Sequence, residues 1–196
     1  MPRIRDAAAK RGLSITPMAN PEIARRLPPG AVHQGVALHV APLPALQLER
    51  VIAIQPPTSL ILALDQVTDP RNFGAILRSA VALGVTAVIV PERRSAELGG
   101  AAAKAASGAL DMLPVVEVVN LSRALARLKE ADFTITGLDA DGAVSIDAAP
   151  PAARRVLVIG SEGDGMRRLT GEHCDETLSI PIDRRIDSLN VSVAAS

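Results

Sequence analysis

The stretch VLVIGSEGDGM, Val156 to Met166, joins two patterns that decide the fold. Val156 to Ile159 is a continuous apolar run without polar alternation, as expected of a strand buried on both faces. Gly160, Gly163 and Gly165 then mark a loop, and Met166 opens a short helix. A buried strand that runs through a glycine loop into a helix is a unit of a parallel sheet covered by helices.

The same alternation extends outward on both sides. Ser59 to Leu64, Val85 to Val90, Val115 to Val119, Phe133 to Gly137 and Leu178 to Ile182 read as further strands. Asn72 to Leu83, closed by Gly84, an Ala-rich run from Ser95 to Leu110, and Leu121 to Glu130 read as the helices between them. The predicted fold is α/β, a mostly parallel sheet with helices on both faces, over residues 58–196. Before it, residues 41–57 carry Pro42, Pro44, Pro56 and Pro57 and read as a linker. Residues 1–40 are too few for a domain. They suggest a helix from Ile4 to Arg11, a short strand from Gly12 to Thr16, a helix from Pro21 to Leu27 and a strand from Val32 to Val40.

Composition narrows the function. Of 196 residues, 48% are hydrophobic, yet Phe73 and Phe133 are the only aromatics, so the core is aliphatic. A single cysteine, Cys174, excludes an internal disulfide and fits a reducing compartment. With His33, His39 and His173 scattered, a structural metal site is not expected. No apolar run reaches a membrane span, and Met1 to Asp6 lacks the start of a secretory signal. The sequence therefore predicts a soluble cytoplasmic protein. Its 21 basic and 21 acidic residues cancel, which argues against a dedicated nucleic-acid coat. Arginine nonetheless comes in pairs, at 25–26, 93–94, 154–155, 167–168 and 184–185, and the guanidinium fork suits phosphate. Codon bias and solvated surface charge account for the pairs equally well.

Three polar stretches sit at carboxyl ends of strands, where open α/β sheets bind ligands. The first runs from Leu64 to Arg78. Asp69-Pro70 makes a turn and Asn72 is placed to cap a helix, while Arg78 lies in an otherwise small, apolar helix. The second is the glycine loop. Its spacing is neither the dinucleotide nor the P-loop fingerprint, and Glu162 and Asp164 would repel a pyrophosphate. A ligand with a positive centre and no phosphate, such as S-adenosylmethionine, fits better. A plain glycine turn with a helix-dipole glutamate is the simpler alternative. The third runs from Ile180-Pro181-Ile182 to Ser188-Leu189-Asn190-Val191-Ser192, where Ser188 and Asn190 suit a helix start.

Together, in this order, the three stretches resemble the SpoU (TrmH) family of RNA ribose 2′-O-methyltransferases, in the SPOUT superfamily. D-P-x-N-x-G-A-I-x-R, V-x-G-S-E-G-x-G-M and I-P-x…S-L-N-V-S-V-A-A are similar to its three motifs. His33-Gln34-Gly35-Val36, Met166 to Thr170 and His173 to Glu176 look most like the branch that methylates a guanosine ribose in 23S ribosomal RNA.

The resemblance implies a C-terminal trefoil knot and a homodimer whose active site is completed across the interface. It implies S-adenosylmethionine held by Gly137, Leu138, Gly160, Ile180, Ile182 and Leu189. Asn72, Arg78, Glu162, Ser188 and Asn190 would line the reaction centre. No metal is needed. Residues 1–40 would be the end of an RNA-binding domain. The last helix of the family is longer than the residues after Ser188, so both ends of the chain look truncated. Asp183 to Asp187 replaces the small, Gly-containing segment usual between the last two motif parts.

Arg78 would serve the removal of the 2′-hydroxyl proton. A protonated guanidinium cannot be a base. Either it loses its proton transiently beside a substrate phosphate, or it stays charged, clamps that phosphate and stabilises the alkoxide; the second is the less demanding. Competing readings are a tRNA 2′-O-methyltransferase of the same family, a non-catalytic RNA-binding module and an NAD-binding oxidoreductase, which Glu162 disfavours.

Overall fold

A computed structural model describes residues 2–41, 43–183, 185–186 and 188–196. Pro42 of the expected linker, Arg184 of the last arginine pair and Asp187 of the unusual segment lie outside the described residues, as does Met1. The chain divides into two compact units, Met1–Leu43 and Pro44–Ser196.

In the first unit, α1 (Pro2–Lys10) and α2 (Asn20–Arg25) form where helices were expected. The α2 N-terminus is closed by Glu22, whose carboxylate accepts the Ala19 N–H at 3.0 Å. The strands expected at 12–16 and 32–40 are absent among the described residues. Apolar alternation makes a strand only where a neighbour completes its ladder, and here Leu38 stays 71% exposed. Gln34 and Gly35 instead take positive φ in a turn, and His33 Nδ1 accepts the Gly35 N–H.

The second unit opens with a correction. The expected linker contains a helix, α3 (Leu48–Ala53), whose Leu48 and Val51 are buried in a core cluster. The prolines at 44, 56 and 57 bracket a helix rather than extend a spacer.

Seven strands follow: β1 (Ser59–Leu64), β2 (Ala87–Pro91), β3 (Val115–Val118), β4 (Thr134–Leu138), β5 (Val144–Ser145), β6 (Arg154–Ile159) and β7 (Glu176–Ser179). They form one sheet in the order β3-β2-β1-β6-β4-β7-β5, and every pairing is parallel. The short β5 had no apolar run to announce it. Alternate residues of β1 feed two cores. Leu62 and Leu64 pack with α4 (Pro70–Ala82) and α5 (Gly100–Ala106). Ile61 and Ala63 pack with α3 and α6 (Leu121–Glu130). The sheet is thus covered on both faces.

Helix boundaries shifted for local reasons. α4 begins at Pro70, because Asp69 Oδ1 accepts the Arg71 N–H at 3.0 Å and proline has no N–H to orphan. Asn72 is therefore not the cap. α5 is shorter than the Ala-rich run, ended by Ser107 and Gly108 at positive φ. It lies so close to α4 that a Cβ on Gly74 would stand 2.4 Å from that of Ala105. α7 (Arg168–Gly171) starts two residues after Met166, and α8 (Val191–Ala194) is capped by Asn190 rather than Ser188. β7 stops before Ile180, so Ile180 and Ile182 leave the sheet. No helix of the described residues is long and apolar enough to cross a membrane.

Candidate active site

A cleft of about 520 Å³ opens where β4, β6 and β7 end, a size typical of a small-molecule site. Because all strands are parallel, their carboxyl-end loops collect on one edge, and three of them wall the cleft. Leu138, Gly160, Ile180, Ile182 and Leu189, named from the resemblance for the cofactor, line it together with Ser188, named for the reaction centre. Gly137 does not. It is buried one residue earlier in β4, where a Cβ would meet Met166 Cε at 2.7 Å and Cys174 Sγ at 3.0 Å.

Asp139, Ala140 and Asp141 also line the cleft and were missed. Their signal was present: a polar run ending in Gly142 directly after a buried strand.

Gly160 has a steric reason to be glycine. An added Cβ would stand 2.1 Å from the Gly165 carbonyl carbon and 2.3 Å from the Met166 nitrogen. The loop folds back on itself here, with Ser161 and Gly165 exchanging backbone hydrogen bonds of 3.0 and 3.1 Å. Gly163 and Gly165 sit at φ 88° and 65°, where side chains are strained.

This hairpin-like loop presents Glu162. Its Oε1 accepts from Asn190 Nδ2 at 2.6 Å, from the Val191 N–H at 3.1 Å and from Asn72 Nδ2 at 3.3 Å. Asn190 Nδ2 also donates to Asn72 Oδ1 at 3.2 Å. Three residues from the three polar stretches thus meet on one carboxylate oxygen. Among the described residues no donor reaches Oε2, which leaves an acceptor for a hydroxyl or an ammonium group. The dipole role weighed from the sequence is realised in part: Glu162 satisfies an orphan N–H of α8, not of the helix after its own loop. Asn190 does double duty, since its Oδ1 caps α8 through the Ser192 N–H at 2.9 Å.

Arg78 stands apart from this cluster. It is exposed on α4, six residues beyond Asn72, without a hydrogen bond or ion pair to a described residue. Several other arginines are committed internally. Arg154 stacks 4.1 Å over the Phe133 ring. Arg155 bridges Glu176 at 2.6 Å beside the buried Thr136. Arg168 and Arg185 pair with Glu172 and Asp183. Arg167 binds Asp65.

The cleft's charge is one-sided. Among the described residues, Asp139, Asp141, Glu162 and Asp164 line it with no lysine or arginine. That field opposes a pyrophosphate and favours a cation. Among the described residues no cluster of His, Cys, Asp or Glu could hold a metal ion.

Comparison with known proteins shows the family. Residues 59–196 match the SpoU rRNA Methylase family. The chain belongs to that family. A SpoU relative from Salmonella typhi, named 23S rRNA (guanosine-2'-O-)-methyltransferase RlmB, is 44% identical over 183 residues, covering 92% of this chain and 75% of its own. The protein of the same name from Xylella fastidiosa is 45% identical over 169 residues, covering 85% of this chain and 68% of its own. Among solved structures, the SpoU methyltransferase AviRb from Streptomyces viridochromogenes is 29% identical with a TM-score of 0.71. The match takes in 78% of this chain and 61% of AviRb. The AviRb complex with the cofactor AdoMet superposes at a TM-score of 0.68 with 30% identity, over 78% of this chain and 59% of that one. The SpoU assignment matches the resemblance carried by the motifs, and the seven-stranded parallel sheet matches the α/β fold expected from the strand and helix pattern.

Proposed function

We propose that this chain transfers a methyl group from S-adenosylmethionine to a ribose 2′-hydroxyl of RNA, with a guanosine of 23S ribosomal RNA as the target. The observation that carries the reading is the convergence of Asn72, Asn190 and the Val191 N–H on Glu162 Oε1, beside an acidic, apolar-walled cleft. The SpoU match, the relatives' shared name and the AdoMet complex of AviRb support it. The relatives' name favours ribosomal over transfer RNA as substrate. A cytoplasmic location belongs to the same proposal.

The cleft's own residues fit the cofactor. Leu138, Ile180, Ile182 and Leu189 offer apolar walls for a nucleoside, and the acidic lining offers attraction for a sulfonium and an amino group. When bound, S-adenosylmethionine supplies an activated methyl group. The chain does the rest. Gly160 lets the loop fold tightly against its own backbone at Gly165 and Met166, and the apolar walls exclude water. Asn72 and Asn190 hold Glu162 in one position, with Oε2 open toward a donor. Arg78, exposed on α4, clamps a substrate phosphate and stabilises the alkoxide as the 2′-hydroxyl proton passes to solvent water.

The homodimer and the knot belong to the same proposal. Val193 of α8 is 59% exposed beside the buried Val191, an apolar surface suited to a second copy. Residues 1–40 are proposed as the end of an RNA-binding domain. Sedimentation of the chain with and without Val193→Asp tests the dimer: the substitution should weaken it, and equal stability would place the interface elsewhere.

Calorimetric titration separates the cofactor readings. S-adenosylhomocysteine should bind and NAD should not. Binding of NAD with no S-adenosylhomocysteine binding would overturn the proposal in favour of an oxidoreductase.

A further inference from the structure

We infer that Asp65 is a positioning residue which, through Arg167, locks the Gly160–Met166 loop and so fixes Glu162. Asp65 is fully buried, at 0% exposure, directly after β1. It touches both ends of the loop. Its own N–H donates to the Ile159 carbonyl at 2.8 Å, one residue before the loop. Its carboxylate accepts from residue 167, one residue after the loop. Oδ2 accepts the Arg167 backbone N–H at 3.0 Å and Oδ1 accepts Arg167 Nε at 2.7 Å, while Nη2 stands 2.7 Å from Oδ1 in an ion pair.

A carboxylate buried this deeply needs partners, and here a single residue provides two hydrogen-bond donors and the paired charge. The pairing joins positions 102 apart in sequence, so it belongs to tertiary structure rather than to a local turn. The segment that carries it is itself constrained. Gln66 sits at φ 64°, an unusual conformation for a side-chain-bearing residue, and the Val67 carbonyl accepts the Ala96 N–H at 2.9 Å.

The same β1–α4 segment reaches the loop a second time. Asn72, seven residues on, donates to Glu162 at the loop's tip. Asp65 therefore holds the stem and Asn72 the tip. A loop rich in glycine has many alternatives to lose on ordering, and a fixed stem removes most of them before substrate arrives. Asp65 does not itself line the cleft; its backbone holds the cleft-lining Ile159 and its carboxylate holds Arg167, so its effect passes through Arg167 and the loop backbone.

The catalytic consequence rests on the methyltransfer reading; the mechanical claim does not, and the test has one arm for each. The first arm is amide hydrogen exchange of the ligand-free full chain. In Asp65→Asn, protection of Ser161 and Gly165 should fall roughly ten- to a hundredfold, as expected on losing hydrogen bonds to a charged group. Val156 and Val158 in β6 should keep theirs. Arg167→Lys, which keeps the backbone N–H and one charged donor, should lie between, and it answers the question if Asp65→Asn does not fold. The second arm is a double-mutant cycle on kcat with Glu162→Gln. Asp65→Asn should lower kcat in the wild type with KM for RNA unchanged, yet cost less than about twofold once Glu162 is already Gln. Unchanged loop protection, or a cost that is fully additive with Glu162→Gln, would overturn the inference. A wild type that transfers no methyl group would overturn the methyltransfer reading, while the exchange arm still decides the loop lock.

Discussion

Asn190 Nδ2 lies 2.6 Å from Glu162 Oε1, although the two residues are 28 positions apart. The contact ties the glycine loop after β6 to the start of α8, and Asn72 extends it to α4. Glu162→Gln keeps the side-chain length but removes the charge that three donors share. Hydrogen bonds to charged groups contribute about 1.5–3 kcal/mol, so kcat should fall roughly 10- to 100-fold. Steady-state kinetics on an RNA fragment checks this. Unchanged turnover would leave Glu162 only its role at the α8 N-terminus.

Gly160→Ala tests the close approach inside the loop. The new Cβ would press on backbone atoms of Gly165 and Met166, which cannot move aside as a flexible side chain could. Stability should drop by about 1–3 kcal/mol, and S-adenosylhomocysteine binding should weaken at least as much as the melt shifts. A thermal melt paired with titration reads both. Wild-type binding would mean the loop backbone does not contact the ligand.

Arg78→Ala separates binding from chemistry. The side chain is exposed without a described partner, so stability should change by no more than about 0.5 kcal/mol. S-adenosylhomocysteine should bind normally, while methyl transfer falls roughly 100- to 1,000-fold, the usual loss of one transition-state donor. In Arg78→Lys, a clamp keeps some activity near neutral pH and loses it at high pH, whereas a base gains rate as pH rises. Wild-type turnover in Arg78→Ala would refute both roles.

Cys174 offers a pH test of the core beside the loop. Burial first, and the adjacent negative Asp175 second, raise its thiol from 9.0 to about 11 against the pull of Lys129. At pH 8 its alkylation should be roughly a hundredfold slower than that of a free thiol. The folded thiol holds its proton between pH 9 and about 11, where the unfolded chain has released it. Stability should therefore fall as pH rises through that window, and Cys174→Ala should remove this component. Rapid alkylation at pH 8 would contradict the buried environment.

The sheet could be read from the sequence because its strands are buried on both faces and so appear as unbroken apolar runs. β1, β4 and β6 were each placed within two residues for that reason. The two-residue β5 carries no such run and was invisible. Asn72 was read as a cap because Asn suits one; Asp69 and Pro70 took that task and freed its amide for Glu162. The strands expected near Gly12 and Val32 followed a local alternation that says nothing of a partner, and none is paired in the structure. Leu138, Gly160 and Ile180 stand at or just past the ends of β4, β6 and β7 and line the cleft with Ile182 and Leu189, whereas Gly137 is buried inside β4. The Asp65–Arg167 pair lay beyond sequence reading, since nothing local marks a contact across 102 positions.

The most direct test of the account is transfer of an isotope-labelled methyl group from S-adenosylmethionine to a 23S ribosomal RNA fragment, followed by digestion to nucleosides. The account predicts label in 2′-O-methylguanosine, dependent on Glu162 and Arg78. Label on a base rather than a ribose, or none in RNA from a protein that binds S-adenosylhomocysteine, would contradict it.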